Sequence, residues 1–124
     1  KLFEKIEEDT NIILIANIPQ PEVTLTECVV KTFRNLKNQC DYDKQIALDR
    51  RFKMLAVMKR LENEFKNINI FDPFHSICSG KKCEFFKNKN YAVIHDKSHI
   101  TYQTSENLSD LFDDWLLSNF NYLN

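Results

Sequence analysis

Glycine is almost missing from this chain: Gly80 is the single one among 124 residues. Loops that cradle phosphates need the close backbone approach that only glycine permits, so Gly-rich nucleotide-binding motifs are excluded. Proline is scarce as well, with only Pro19, Pro21 and Pro73 to punctuate the chain. No apolar run reaches the roughly 18 residues that a membrane span requires. The opening Lys1-Leu2-Phe3-Glu4-Lys5 is mixed and charged and has no signal-peptide character. Export, if it occurs, is therefore expected to be directed by a segment outside this sequence. An excess of one charge is also lacking: 17 basic residues face 18 acidic ones, for a net charge of −1. That balance gives no reason to expect a nucleic acid or an anionic membrane as a partner.

What is present is ordinary globular material, 43% hydrophobic and 28% charged, with ten phenylalanines to fill a core. The length fits a single domain over residues 1–124. Four cysteines is an even number and high for this length. Cys28 and Cys40 flank one polar stretch, and Cys78 and Cys83 flank Ser79-Gly80-Lys81-Lys82. Of three connectivities, local pairing favours Cys28–Cys40 and Cys78–Cys83, and with them an oxidising compartment. Four free thiols in a cytosolic protein is the alternative.

Along the chain, Leu2, Phe3 and Ile6 read as the last turns of a helix. Ile12-Ile13-Leu14-Ile15-Ala16 is a continuous apolar run, the pattern of a strand buried on both faces inside a parallel sheet. Asn17-Ile18-Pro19-Gln20-Pro21 ends it, because proline cannot extend the ladder. Asn17 then falls just past the carboxyl end of that strand, where open α/β sheets place ligands, and is a weak substrate-binding candidate; a loop-capping role is the plainer reading. Residues 22–43 read as an irregular, polar, stapled excursion. Leu48, Phe52, Leu55, Met58, Leu61 and Phe65 recur at spacings of three and four and predict a long helix with these side chains on one face. Asp41 or Asp43 supplies its N-cap. Asn67 to Phe71 predicts a second strand, stopped by Asp72-Pro73, and strand–helix–strand implies a parallel βαβ unit.

Cys83 to Phe86 and Tyr91 to Ile94 predict a small hairpin about residues 87–90. A loop follows over His95 to His99. Thr101 caps a final helix whose apolar stripe is Leu108, Leu111, Phe112, Trp115 and Leu116, with Asp110, Asp113 and Asp114 on its wet side.

Asp96 and His99 stand three apart immediately before that helix. An imidazole can act as general base toward a hydroxyl, while a carboxylate on its other nitrogen fixes the tautomer and stabilises the imidazolium. On spacing alone, a solvated loop acid beside a surface histidine is the plainer reading of the pair. His75, Cys78, Cys83 and His95 match no structural zinc spacing, and a disulfide explains both thiols more simply; no metal is expected. A redox role for Cys78 and Cys83 is disfavoured because four residues, not two, intervene. Trp115 and the phenylalanines read as core. Ser76 and Ser98 read as loop serines, since adjacent side chains such as Ser98 and His99 seldom meet as nucleophile and base.

Asp72-Pro73-Phe74-His75-Ser76-Ile77-Cys78, then Cys83, then Tyr91-Ala92-Val93-Ile94-His95-Asp96-Lys97-Ser98-His99-Ile100-Thr101 closely resembles one family. It is similar to the end of the SGNH domain fused to membrane-bound O-acyltransferases that acetylate bacterial surface polysaccharides. Ile12 to Pro19 resembles the strand that precedes these motifs, so the resemblance covers nearly the whole chain. It implies a partial three-layer α/β fold, flavodoxin-like, with the serine-bearing N-terminal strand missing. It implies His99 as base and Asp96 as its orienter, and no cofactor. The departures are specific: there is no Gly-Asp-Ser element, the blocks that supply oxyanion-hole donors are absent, and Thr104-Ser105 stand where Gly-Ala usually opens the last helix. The implied activity is transfer of an acyl group, acetyl in the first place, to a cell-surface glycan at the periplasmic or extracellular face of the bacterial inner membrane. The parent protein supplies the glycan acceptor, the acyl donor and the membrane attachment, and this chain alone is expected to be inactive. A carbohydrate esterase, or a non-catalytic glycan-binding or interaction module, is the rival reading. The first strand, lacking its neighbour, is expected to leave an edge through which the chain associates with itself or with its missing N-terminal part.

Overall fold

A computed structural model describes residue 6 and residues 10–33, 40–87 and 91–120. The expected helical end at Leu2 and Phe3 lies outside them. The fold is mixed α/β, with four helices and three two-stranded sheets among the described residues.

Strand β1 (Ile12–Ile15) runs parallel to β3 (Ile68–Phe71), with Ile12 opposite Ile68 and Ile15 opposite Phe71. The Ala16 N–H still donates to the Phe71 carbonyl at 2.9 Å, so the ladder runs to the end of the apolar stretch. The continuous apolar pattern correctly predicts a parallel strand, but burial on both faces is corrected. Ile15 is 62% exposed and Ile12 to Leu14 are half-buried, because β3 is β1's single sheet neighbour among the described residues.

The connection between the two strands holds more order than the sequence reading allows. Residues 22–43 are not irregular throughout: helix α1 (Leu25–Phe33) opens there. Its start is a reciprocal cap, with the Thr24 N–H donating to Glu27 Oε2 at 2.7 Å and the Glu27 N–H donating to Thr24 Oγ1 at 3.3 Å. Strand β2 (Tyr42–Asp43) follows. Helix α2 (Lys44–Glu64) begins at Asp43, whose carboxylate accepts from the Gln45 and Ile46 N–H groups, as an N-cap aspartate should.

The inward face of α2 carries Ala47, Arg51 and Met58, with Leu48, Leu55 and Leu61 half-buried. Phe52, expected on that face, is instead 69% exposed. The face is centred on Arg51, one residue away, and 52 points about 100° from it. Arg51 is 4% exposed; its Nη2 lies 2.7 Å from Asp72 Oδ2, and its guanidinium stands 4.6 Å over the Phe74 ring.

Helix α3 (Phe74–Ile77), strand β4 (Lys82–Cys83) and the hairpin of β5 (Phe86–Lys87) with β6 (Tyr91–Ala92) come next. Most of the expected hairpin loop lies outside the described residues. Strand β4 pairs antiparallel with β2, Tyr42 opposite Cys83. Helix α4 (Tyr102–Asn119) starts at Thr101, which accepts from the Thr104 N–H. Phe112 and Trp115 reach back to Phe71, at ring separations of 4.9 and 5.5 Å.

Both cysteine pairs are joined, Cys28 to Cys40 and Cys78 to Cys83. Each bridge is at the centre of a core cluster. Cys78 and Cys83 pack with Tyr42, Phe74, Val93 and Ile94, while Cys28 and Cys40 pack with Phe85. No helix among the described residues is long and apolar enough to cross a membrane.

Candidate functional site

The candidate site is built on the short loop between β6 and α4, whose base is clamped three times. Ile94 and Ile100 form an antiparallel bridge, and the His95 N–H donates to the His99 carbonyl at 2.8 Å. Below them the Thr101 N–H donates to the Val93 carbonyl, and the Thr101 and Thr104 hydroxyls donate to the carbonyls of Ala92 and Val93 at 2.6 and 2.8 Å. The Leu25 N–H, at the start of α1, reaches the His95 carbonyl. The loop is thus an extension of the core, although its tip is exposed.

Within the loop, Asp96 organises everything nearby. Its Oδ1 accepts the N–H groups of Ser98 and His99 at 2.7 and 2.8 Å and faces the Ser98 hydroxyl at 3.3 Å. Its Oδ2 meets His99 Nδ1 at 2.7 Å. The Ser98 backbone N–H, the His99 ring and the His99 backbone N–H hold the Asp96 carboxyl well below the usual carboxylate range. An ionised Asp96 makes Nδ1 the protonated nitrogen when the ring is neutral, which leaves the Nε2 lone pair as the base. His95 Nδ1 lies 3.9 Å from Asp96 Oδ2, too far for a direct hydrogen bond.

Ser98 does reach the His99 ring, with Oγ 3.3 Å from Nδ1. That is the nitrogen turned to Asp96, so this hydroxyl does not occupy the place of a nucleophile at Nε2.

The loop faces the end of β1 across an open cleft of about 390 Å³. Ile15 to Ile18 and Gln20 form one wall, and Ser98 to Ile100 form the other. His99 and Asn17 therefore line the same space, at the carboxyl end of a parallel strand, where α/β sheets place ligands. Asn17 itself is exposed. The wall that carries it is held from behind: the Tyr42 hydroxyl donates to the Pro19 carbonyl at 3.2 Å, and Arg50 Nη1 donates to the Gln20 carbonyl at 3.1 Å. Burial raises the Tyr42 pKa, so this donor keeps its proton at any ordinary pH.

Gln20, Ile18 and Ile100 were not singled out by sequence reasoning. Their signal is three-dimensional, since two segments some 80 residues apart meet at the cleft. Cys78 and Cys83, being bonded to each other, are not available as metal ligands. Among the described residues, no three His, Cys, Asp or Glu side chains are grouped so that they could hold a metal ion.

A family profile for the SGNH domain (fused to AT3 domains) matches residues 1–114, a span that includes both walls of the cleft, both disulfides and the Asp96–His99 pair. No curated protein and no solved structure matches the chain.

Proposed function

The chain belongs to the SGNH domains that are fused to AT3 domains, and from that premise we propose that it contributes His99 as general base and Asp96 as its orienter to acyl transfer. The observation that carries this reading is the 2.7 Å contact between His99 Nδ1 and Asp96 Oδ2, with the same ring lining a cleft at the end of β1. A base so arranged takes a proton from a hydroxyl that enters the cleft at Nε2 and returns it to the leaving group.

The nucleophile is assigned to a serine outside this sequence, carried by a strand beside β1 in a three-layer sandwich. Acylation of that serine, then attack by a sugar hydroxyl on the acyl-enzyme, splits the transfer into two steps, and His99 serves both. The acyl group is acetyl and the acceptor a cell-surface glycan. Two buried disulfides suit an oxidising compartment, which supports the periplasmic or extracellular face of the inner membrane. An AT3 partner domain in the same polypeptide supplies the membrane attachment.

The test is acyl transfer by the full polypeptide that contains this domain. His99→Ala is expected to lower the rate by about 10²–10⁴-fold, the usual worth of a positioned base. Transfer at the parent rate by the His99→Ala protein would remove the base from the account.

A further inference from the structure

A second cavity, of about 270 Å³, is lined in part by Val93 and Thr104 and shares no lining residue with the dyad cleft. Its floor is apolar, made by Ile77, Val93, Leu108 and Leu111. Its polar lining is uneven in what it can offer. The Thr104 hydroxyl is committed to the Val93 carbonyl at 2.8 Å, and the Ser76 hydroxyl to the Pro73 carbonyl at 2.7 Å. Asn107 Nδ2 donates to the Tyr91 oxygen at 2.7 Å, which fills that oxygen as an acceptor and leaves the Tyr91 O–H as a donor.

Lys87 is the charged residue of the lining, and its side chain is 27% exposed. The carboxylate nearest its Nζ among the described residues, Glu84 Oε2, stands 3.7 Å away and outside the cavity. A charge-assisted contact closes to about 2.7–2.9 Å, so this ammonium is only loosely partnered. The cavity thus presents a cation and a hydroxyl donor above a hydrocarbon floor. It is smaller than the roughly 300–1,000 Å³ typical of drug-sized ligands, which limits the occupant to one ring or a short chain.

The geometry points to a site for a small carboxylate with an apolar body, its oxygens on Lys87 Nζ and Tyr91 O–H and its carbon skeleton on Leu108 and Leu111. One ring of a uronic acid in a glycan and a free short-chain carboxylic acid share this chemistry. The site is independent of the dyad, because none of its lining residues touches the His99 cleft.

The experiment is an NMR titration of the chain with methyl β-D-glucuronide, methyl β-D-glucoside and sodium butyrate in separate arms. Glucuronide should shift the Tyr91 and Leu108 amide signals, and the uncharged glucoside should not. Shifts with glucuronide but not butyrate assign the site to an acidic sugar; equal or stronger shifts with butyrate assign it to a free acid. Lys87→Gln and Tyr91→Phe should each weaken binding by about tenfold or more, as loss of a hydrogen bond to a charged group does. His99→Ala should leave it unchanged, which separates this site from the proposed base. Equal response to glucoside and glucuronide, no response to either acid, or shifts confined to residues 95–100 would each overturn the assignment.

Discussion

Asp96 holds His99 twice, by the backbone N–H on Oδ1 at 2.8 Å and by ring Nδ1 on Oδ2 at 2.7 Å. One carboxylate therefore fixes both where the residue sits and which way its ring turns. A ring that is three-quarters exposed is otherwise free to rotate, so its orientation depends on this double contact and not on packing.

The first consequence is a pH dependence. The folded-state pKa of Asp96 lies below its unfolded value. Its contribution to stability is then complete above the ordinary carboxylate range, about pH 4, and is lost as pH falls through the depressed folded value. The melting-temperature difference between the parent chain and Asp96→Ala should shrink as the pH falls below about 4 and the carboxylate is protonated. A difference that persists undiminished through the acid range would contradict the hydrogen-bond pattern.

The disulfides give the second. Bridges with separations of 12 and 5 residues contribute about 3 and 2 kcal/mol in the chain-entropy treatment. Unreduced protein should weigh four hydrogens less than the reduced chain. The Cys28→Ala/Cys40→Ala pair should lower the unfolding free energy by about 3 kcal/mol in a denaturant titration. Four thiols that react with an alkylating agent in the native protein would overturn both bridges and the extracytoplasmic placement built on them.

A third prediction rests on Arg51. Asp72 receives this buried guanidinium at 2.7 Å, and the other oxygen of Asp72 accepts the Phe74 N–H at 3.1 Å. Asp72→Ala leaves the cation buried and uncompensated and should cost about 3–5 kcal/mol. Arg51→Met fills the same apolar space without a charge and should cost less, although it strands the partly exposed Asp72. Equal losses in urea unfolding would show that the pair acts only as packing.

The two edges of the β1–β3 sheet differ, which sets up the fourth prediction. At β3 the Ile70 N–H is taken by Glu62 Oε1 at 3.1 Å, so that edge is partly closed by α2. At β1 no second strand pairs with the outer side among the described residues, and Ile15 is exposed. We propose that the chain associates with a second copy through β1, as open edges do. Light scattering should report more than a monomer, and Ile15→Lys should reduce the association. A clean monomer at high concentration would rule the edge contact out.

Sequence pattern revealed the parts that periodicity and capping control. The β1 and β3 strands, the Asp43 and Thr101 caps and α4 follow directly from apolar runs and hydroxyl or carboxylate positions. Helix α1 was legible too, since Thr24-x-x-Glu27 is a capping box, but the polar residues around it hid it. The inward face of α2 was misjudged at Phe52 because a buried arginine sits in its centre, and hydrophobic spacing alone ranks phenylalanine above arginine. Pairing of β2 with β4 joins two-residue strands 40 residues apart, which leaves no periodic trace. The Asp96–His99 spacing was visible, whereas the cleft they share with Asn17 depends on β1 and the loop meeting in space.

The central claim, that Asp96 sets His99 as a base through Nδ1, is tested most directly by Asp96→Asn in the full polypeptide. The backbone N–H groups of Ser98 and His99 require an oxygen at the Oδ1 position, so the amide NH₂ must take the place of Oδ2 and face Nδ1. That turns the ring to the Nε2–H tautomer, which cannot accept a proton from a hydroxyl in the cleft. The predicted result is a fall in the acyl-transfer rate of about 10⁴-fold, as for the equivalent change in a serine triad, with the loop fold intact. Transfer at the parent rate by the Asp96→Asn protein would contradict the account.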